Sequence, residues 1–321
     1  MNATLRRCRH LIGLAGLLAS AAAWATSPTP PTLVKVGELQ LIDARQGAAC
    51  VALGDFIYVF GGSAGGAITH AERIDTRTNQ VERLPGKFVP RRYHNALTHA
   101  GKIYLFGGQG YGLPGDPYER AVEIYDPATG AITQGPAMSR PRSSMAAGVH
   151  GGQAYLIGGS KKKGNTRAQT GEVDVFDFAT SRWSQGVPMP LPRESMAVVV
   201  GDLILVPGGY RSPQGQPEVL MFVPPERTWK TLPPLDRSIS AHSTVFLGEH
   251  LFLFGDFHDL DSVLAYNLRT RESALLHPGF TGARHTTATV CNNRIYVIGG
   301  NRNTETGDEL PLVQVFALSA G

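Results

Sequence analysis

Residues 102–108 read KIYLFGG, a short apolar run closed by two glycines. The run is nearly continuous rather than alternating, so it fits a strand covered on both faces. Glycine at its end admits a positive φ and lets another backbone approach closely. The signature recurs as FIYVFGG ending at Gly61-Gly62, QAYLIGG at Gly158-Gly159, LILVPGG at Gly208-Gly209, LFLFGD at Gly255-Asp256 and RIYVIGG at Gly299-Gly300. Successive first glycines lie 46, 51, 50, 47 and 44 residues apart, a period that marks a repeat architecture.

The register extends in both directions. Three residues before each first glycine stand Tyr58, Tyr104, Tyr155, Leu205, Phe252 and Tyr296. Downstream, AERID, VEIYD, VDVFD, VLMFV, VLAYN and VQVFA repeat a further strand, with Asp75, Asp126 and Asp177 opening turns. Val81, Ile132, Trp183 and Trp229 hold a common position in the strand after that. Upstream, each unit carries an arginine ahead of another apolar strand: Arg45, Arg91, Arg142, Arg193, Arg237 and Arg284.

This order of motifs resembles the kelch family over roughly residues 33 to 318. The resemblance implies an all-β, six-bladed propeller with four-stranded blades. Two departures are Asp256 in place of the second glycine of blade 5, and tryptophan at its common position in only two units. Turns rich in Gly, Pro, Asn and Asp, with no convincing amphipathic helix, agree with the all-β reading. The last unit ends at VQVFALSAG without a fourth strand, while TLVKVGELQLI precedes Arg45. The early segment is therefore expected to complete blade 6 and close the ring, which protects open strand edges.

The first 25 residues read differently. Arg6, Arg7 and Arg9 precede an apolar stretch from Leu11 to Trp24, followed by the small-residue site Ala23-Trp24-Ala25. This is the pattern of a secretory signal peptide cut before Thr26, and the apolar stretch falls short of the ~20 residues that span a bilayer. The expected organisation is a signal peptide at 1–25 and a propeller at 26–321, in the periplasm or secreted. Without the signal, the formal charge drops from +4 to about +1. No broad cationic field for nucleic acid remains, and no second apolar segment suggests a membrane span. Cys50 and Cys291 stay in an oxidising compartment. They stand 11 residues before Gly61 and eight before Gly299, offsets that favour two small buried thiols over a disulfide.

In an antiparallel meander the start of the first strand and the end of the second lie at the same end of the blade. Arg45, Arg91, Arg142, Arg193, Arg237 and Arg284 are thus expected near one mouth of the central channel, with His94, His242 and His285. Some kelch propellers hold acidic peptides with corresponding arginines, and the resemblance makes these positions candidate ligand contacts. The competing reading is that a residue repeated in every unit serves the repeat, by capping carbonyls or pairing with another blade. His94 and His242 share one repeat offset and favour the structural role. The loops after Gly-Gly do not repeat and offer Tyr111, Lys161, Lys162, Lys163, Arg167, Tyr210, Arg211 and Arg302, where specificity would reside.

Blade 5 interrupts this cationic set with Asp256, His258, Asp259 and Asp261, read as a polar turn because no metal-ligand spacing is met. Glu72, Glu123 and Asp174 recur at one strand position and argue for structure. No GxSxG, HExxH, Walker or dinucleotide motif occurs, so neither cofactor nor metal is expected. The leading expectation is an exported, monomeric, non-catalytic binding propeller for an acidic peptide, protein loop or acidic glycan. The alternative is a sugar-acid epimerase like the periplasmic sialic acid mutarotases of the kelch lineage. Glu194 beside Arg193, or His258 with Asp256, would supply its acid and base.

Overall fold

The computed structural model describes residues 30–111, 117–303 and 308–319. The expected signal peptide lies outside the described residues. Each KIYLF-type run is the second strand of a four-stranded antiparallel sheet, buried on both faces as its composition requires. Blade 1 comprises Ala49–Leu53, Phe56–Phe60, Ala71–Asp75 and Gln80–Arg83. Blade 2 runs from Asn95–His99 to Ala131–Gly135, blade 3 from Ala146–His150 to Arg182–Gln185, and blade 4 from Val198–Val200 to Thr228–Leu232. Blade 5 runs from Ser243–Leu247 to Ser273–Leu276. Blade 6 takes Thr287–Cys291, Arg294–Ile298 and Leu312–Leu318 from the end of the chain and Leu33–Gln40 from its beginning.

That last pairing closes the ring as the sequence suggested. Leu33 pairs with Leu318 and Gln40 with Leu312, with an irregularity between Lys35 and Gly37. The first strand of each blade lies innermost, against the first strands of both neighbours, from blade 1 around to blade 6 and back. Apolar side chains from facing sheets fill the wedges between them. Tyr58 and Phe60 of blade 1 share a core with Ile103 and Leu105 of blade 2, and an equivalent core fills each of the other five junctions. A core divided among sheet interfaces is the expected solution for blades that cannot bury both faces alone.

The repeated outer residues also have physical roles. Trp183 Nε1 donates to Pro136 O at 2.9 Å and Trp229 Nε1 to Val187 O at 3.0 Å, each tying its blade to the tail of the preceding one. Asp75, Asp126 and Asp177 accept turn amides, from Arg77, Ala128 and Thr180 respectively, which is why the strand ends there. Among the described residues, no helix is long and apolar enough to cross a membrane.

Candidate functional site

Four of the six arginines singled out by sequence turn inward. Arg45, Arg142 and Arg193 have no solvent exposure and Arg91 has 1%. Arg91 donates to Glu123 at 2.8 Å and to Gly107 O at 3.1 Å. Arg142 donates to Asp174 at 2.6 Å and to Gly158 O at 2.9 Å. Arg193 reaches Glu218 at 3.0 Å and Gly208 O at 2.9 Å, while Arg45 bonds Glu72 and Gly61 O. In blades 1 and 2 the carboxylate also accepts an amide of the loop that carries the arginine, from Ile42 and Val89. Each pair therefore fastens the loop entering a blade to that blade's second and third strands. The expectation of an arginine-lined channel is corrected here: a guanidinium with five donors in a fixed fork satisfies several buried acceptors at once, and in these blades they are the fold's own.

Arg237 and Arg284 stand outside this register. The residue equivalent to Arg91 is identified by its carbonyl, which receives the second glycine of the preceding blade; in blade 5 it is Ile239, whose carbonyl accepts from Gly209. In blade 6 it is Ala283, whose carbonyl faces Gly255. Arg237 is exposed and pairs with Asp259 at 2.9 Å. Arg284 is buried, donates to Phe257 O at 3.1 Å and lies 4.3 Å from the Phe257 ring centroid.

Just beyond the arginines the chain forms a belt around the channel mouth. Gly47, Tyr93, Ser144, Ala241 and His285 all adopt left-handed backbone angles, with φ between 53° and 62°. The turn aims each amide at the neighbouring blade. His285 N donates to Ala241 O, Gly47 N to His285 O, Tyr93 N to Gly47 O, Ser144 N to Tyr93 O and Ser195 N to Ser144 O, at 2.7–3.3 Å. Among the described residues, the sixth link, between Ser195 and Ala241, is not made. Blade 4 is one residue short between its arginine and its paired glycines, 15 residues from Arg193 to Gly208 against 16 from Arg142 to Gly158, and Ser195 does not take the left-handed turn.

The belt rims a cavity of about 810 Å³ in the channel, lined by Tyr93, Glu194, Tyr210, His258 and His285 among others. Its arginine, Arg167, comes from a loop that does not repeat, and its carboxylate, Glu194, follows Arg193 in the loop entering blade 4. The hairpin Ser160–Lys163 and Thr166–Gln169 carries Arg167 to Glu194 of the next blade at 2.5 Å, where Gln169 Nε2 at 2.9 Å and the Ser160 hydroxyl also donate to the carboxylate. Arg92 lies over the Tyr93 and Tyr111 rings and donates to Gln109. Of the sequence candidates, His94, His242, His285 and Tyr210 line the cavity, while Tyr111 lies under Arg92 and is not part of the lining. Arg167 was named among the loop residues, but no repeat offset distinguished it.

The histidines are neutral components of this wall. His94 and His242 pack their rings against Gly61 and Gly208, filling the hollow that the missing Cβ leaves, as Met145 does against Gly107. Burial holds His94 well below its ordinary pKa and brings His242 to about 4, against the opposing influence of Asp256. Burial likewise brings His285 to about 4; a hydrogen bond with Asn301 opposes the shift, and the positive charges of Arg284, Arg92 and Arg167 reinforce it.

The acidic turn of blade 5 is a self-contained cap. Asp256 accepts amides from Ser240 at 2.7 Å and from His258 and Asp259 at 3.0 and 3.3 Å, so its carboxylate is occupied by backbone donors. Asp43, His70 and Glu72 bring ligand atoms within 4.8 Å of one another, but Arg83 and Arg45 donate to the two carboxylates and already neutralise them. The cysteines are free thiols at different levels of adjacent inner strands. Cys50 meets Thr287 at the start of the blade 6 strand, and Cys291 reaches Gly54 O beyond the end of the blade 1 strand.

Comparison with known proteins agrees with this architecture. The KLHDC2/KLHL20/DRC7 Kelch-repeats domain matches residues 47–256. Spermatocyte protein spe-26 of Caenorhabditis elegans is 30% identical over 173 residues, covering 52% of this chain and 30% of that protein. Kelch-like protein terF of Aspergillus terreus is 27% identical over 262 residues, covering 71% of this chain and 56% of that protein. Beta-scruin of Limulus polyphemus is 28% identical over 184 residues, covering 52% and 19%. The chain spans less than two thirds of the length of each of these relatives. The solved structure titled "Structure of YjhT" superposes with a TM-score of 0.72 at 17% identity, covering 84% of this chain and 94% of that one; the likeness is one of fold.

Proposed function

This chain belongs to the kelch-repeat family, and on that premise we propose that it is an exported, non-catalytic binding propeller that seats an acidic segment of a protein partner in its channel mouth. The observation that carries this reading is the setting of Glu194. Its carboxylate already rests on Arg167, Gln169 and Ser160 at the edge of the cavity, so the mouth holds a donor set matched to a carboxylate. An incoming Asp or Glu would take the place of Glu194 on Arg167, with Arg92 adding to the positive field and Tyr93 and Tyr210 offering ring surface. Charge-assisted hydrogen bonds of this kind contribute about 1.5–3 kcal/mol each.

The test is binding of a fluorescent glutamate-rich peptide to the mature protein across a salt series. Arg167→Ala weakens binding and flattens its salt dependence, and Glu194→Gln strengthens it by removing the internal competitor. Unchanged affinity in Arg167→Ala overturns the proposal. Accelerated anomeric equilibration of sialic acid, followed by NMR and lost in Glu194→Gln, would replace it with the sugar-acid reading. Export is tested separately by sequencing the N-terminus of protein recovered outside the cytoplasm, where Thr26 is the expected first residue.

A further inference from the structure

One position in the repeat is vacant. In blade 1 the guanidinium of Arg45 lies among Asp43, His70, Glu72 and Arg83. Strand register identifies their counterparts in blade 5. Glu72 pairs across its sheet with Arg83, and Leu264 pairs across its own with Leu275. His70 and Ser262 stand two residues before Glu72 and Leu264, and Asp43 and Arg237 two before Arg45 and Ile239. Those four counterparts, Arg237, Ser262, Leu264 and Leu275, line a cavity of about 420 Å³ together with Asp236, Asp256 and Asp259. In blade 5 the space that a guanidinium fills in blade 1 is thus open.

We propose that this slot of blade 5 receives an arginine side chain presented by a protein partner, replacing from outside the guanidinium that the chain itself does not supply. Three features fit a guanidinium. Three aspartates border the slot against one arginine, and that arginine is already paired with Asp259. The hydroxyl of Ser262, a residue only 2% exposed, has no hydrogen-bond partner among the described residues. It is a buried acceptor in the cavity wall, and such groups are costly to leave unpaired. The wall formed by Leu264 and Leu275 is apolar, which suits a weakly hydrated, planar cation on an alkyl stem better than a compact, strongly hydrated ammonium.

The test is a titration of the mature protein with N-acetyl-arginine amide, followed by backbone amide NMR, with N-acetyl-lysine amide as control. The expected result is saturable shifts at Ser262, Leu264 and Asp259 with the arginine probe, at least about tenfold weaker with the lysine probe. Ser262→Ala weakens binding about three- to tenfold. Ile239→Arg combined with Leu264→Glu fills the slot from within and abolishes it. Because that pair is buried and its introduction can prevent folding, Asp236→Asn and Asp259→Asn, both at exposed residues, provide the second arm and each weaken binding. Arg167→Ala leaves binding unchanged, which separates this slot from the channel mouth. Absent shifts, equal response to lysine, shifts confined to Tyr210 and Arg167, or full affinity in the Ser262 and Asp259 variants would each overturn the proposal.

Discussion

Blades 1–4 and blade 5 solve the same problem with opposite chemistry. In blades 1–3 the loop entering the blade is held by a buried arginine on a carboxylate at one shared strand position, and in blade 4 Arg193 meets Glu218 two residues earlier, whereas in blade 5 Ile239 and Leu264 occupy the two positions and share an apolar core. A buried ion pair must recover a desolvation cost that an apolar pair never incurs, so the two arrangements can be near equal in stability while differing in directionality. The arginine names its acceptors and fixes the loop by four or more bonds; the isoleucine supplies burial alone and leaves the outer slot open.

The sharpest way to break this comparison is Arg91→Ala. It leaves Glu123 at a buried site without its ion-pair partner and is expected to cost about 3–5 kcal/mol in urea unfolding. Converting the pair to the blade 5 form, Arg91→Met with Glu123→Leu, should return stability to within about 1 kcal/mol of the parent. A double variant as unstable as Arg91→Ala would show that the two arrangements are not interchangeable. Ile239→Ala is expected to cost about 3 kcal/mol through lost burial and a residual cavity. A near-neutral outcome would mean that blade 5 needs no anchor.

Acid titration probes the wall behind the anchors. His242 and His285 titrate near pH 4 in the folded protein, below the ordinary value of 6.5, because burial disfavours their charged forms. As pH falls from about 6.5 to about 4 the unfolded chain takes up protons that the folded one refuses, so stability declines through that window by up to about 1.4 kcal/mol per pH unit for each histidine. Replacing His242 with methionine, the residue blade 3 uses, should flatten the decline, and an unaltered slope would remove His242 from the account. The smallest effect is expected at the junction of blades 6 and 1. Burial raises the Cys50 thiol to about 12, so native protein at pH 8 should resist alkylation there and react only after unfolding.

The periodic features were legible because each is local. A strand closing on Gly-Gly, an Asp-led turn and a Tyr position are short-range solutions that repeat whenever the blade repeats. The arginine register was misread for a similar reason. Arg45, Arg91 and Arg142 stand sixteen residues before their glycines, but Arg237 stands eighteen before and Arg284 fifteen before, and adjacency in sequence concealed that Ile239 and Ala283 hold the position. Their role was misread as well, since the competing structural role was the one the fold uses. A repeated basic residue looks the same in sequence whether it faces a channel or a carboxylate of its own blade.

By itself the sequence determined the number of blades, their strand order and the joining of the chain ends, since these follow from hydrophobic runs and turn residues along a single direction. Only the tertiary structure decided which charges are spent internally and which face the cavity. That decision depends on partners distant in sequence, as with Arg142 and Asp174 within blade 3, or Arg167 and Glu194 across two loops. Burial, not residue type, separates an arginine that holds the fold together from one placed to meet a ligand.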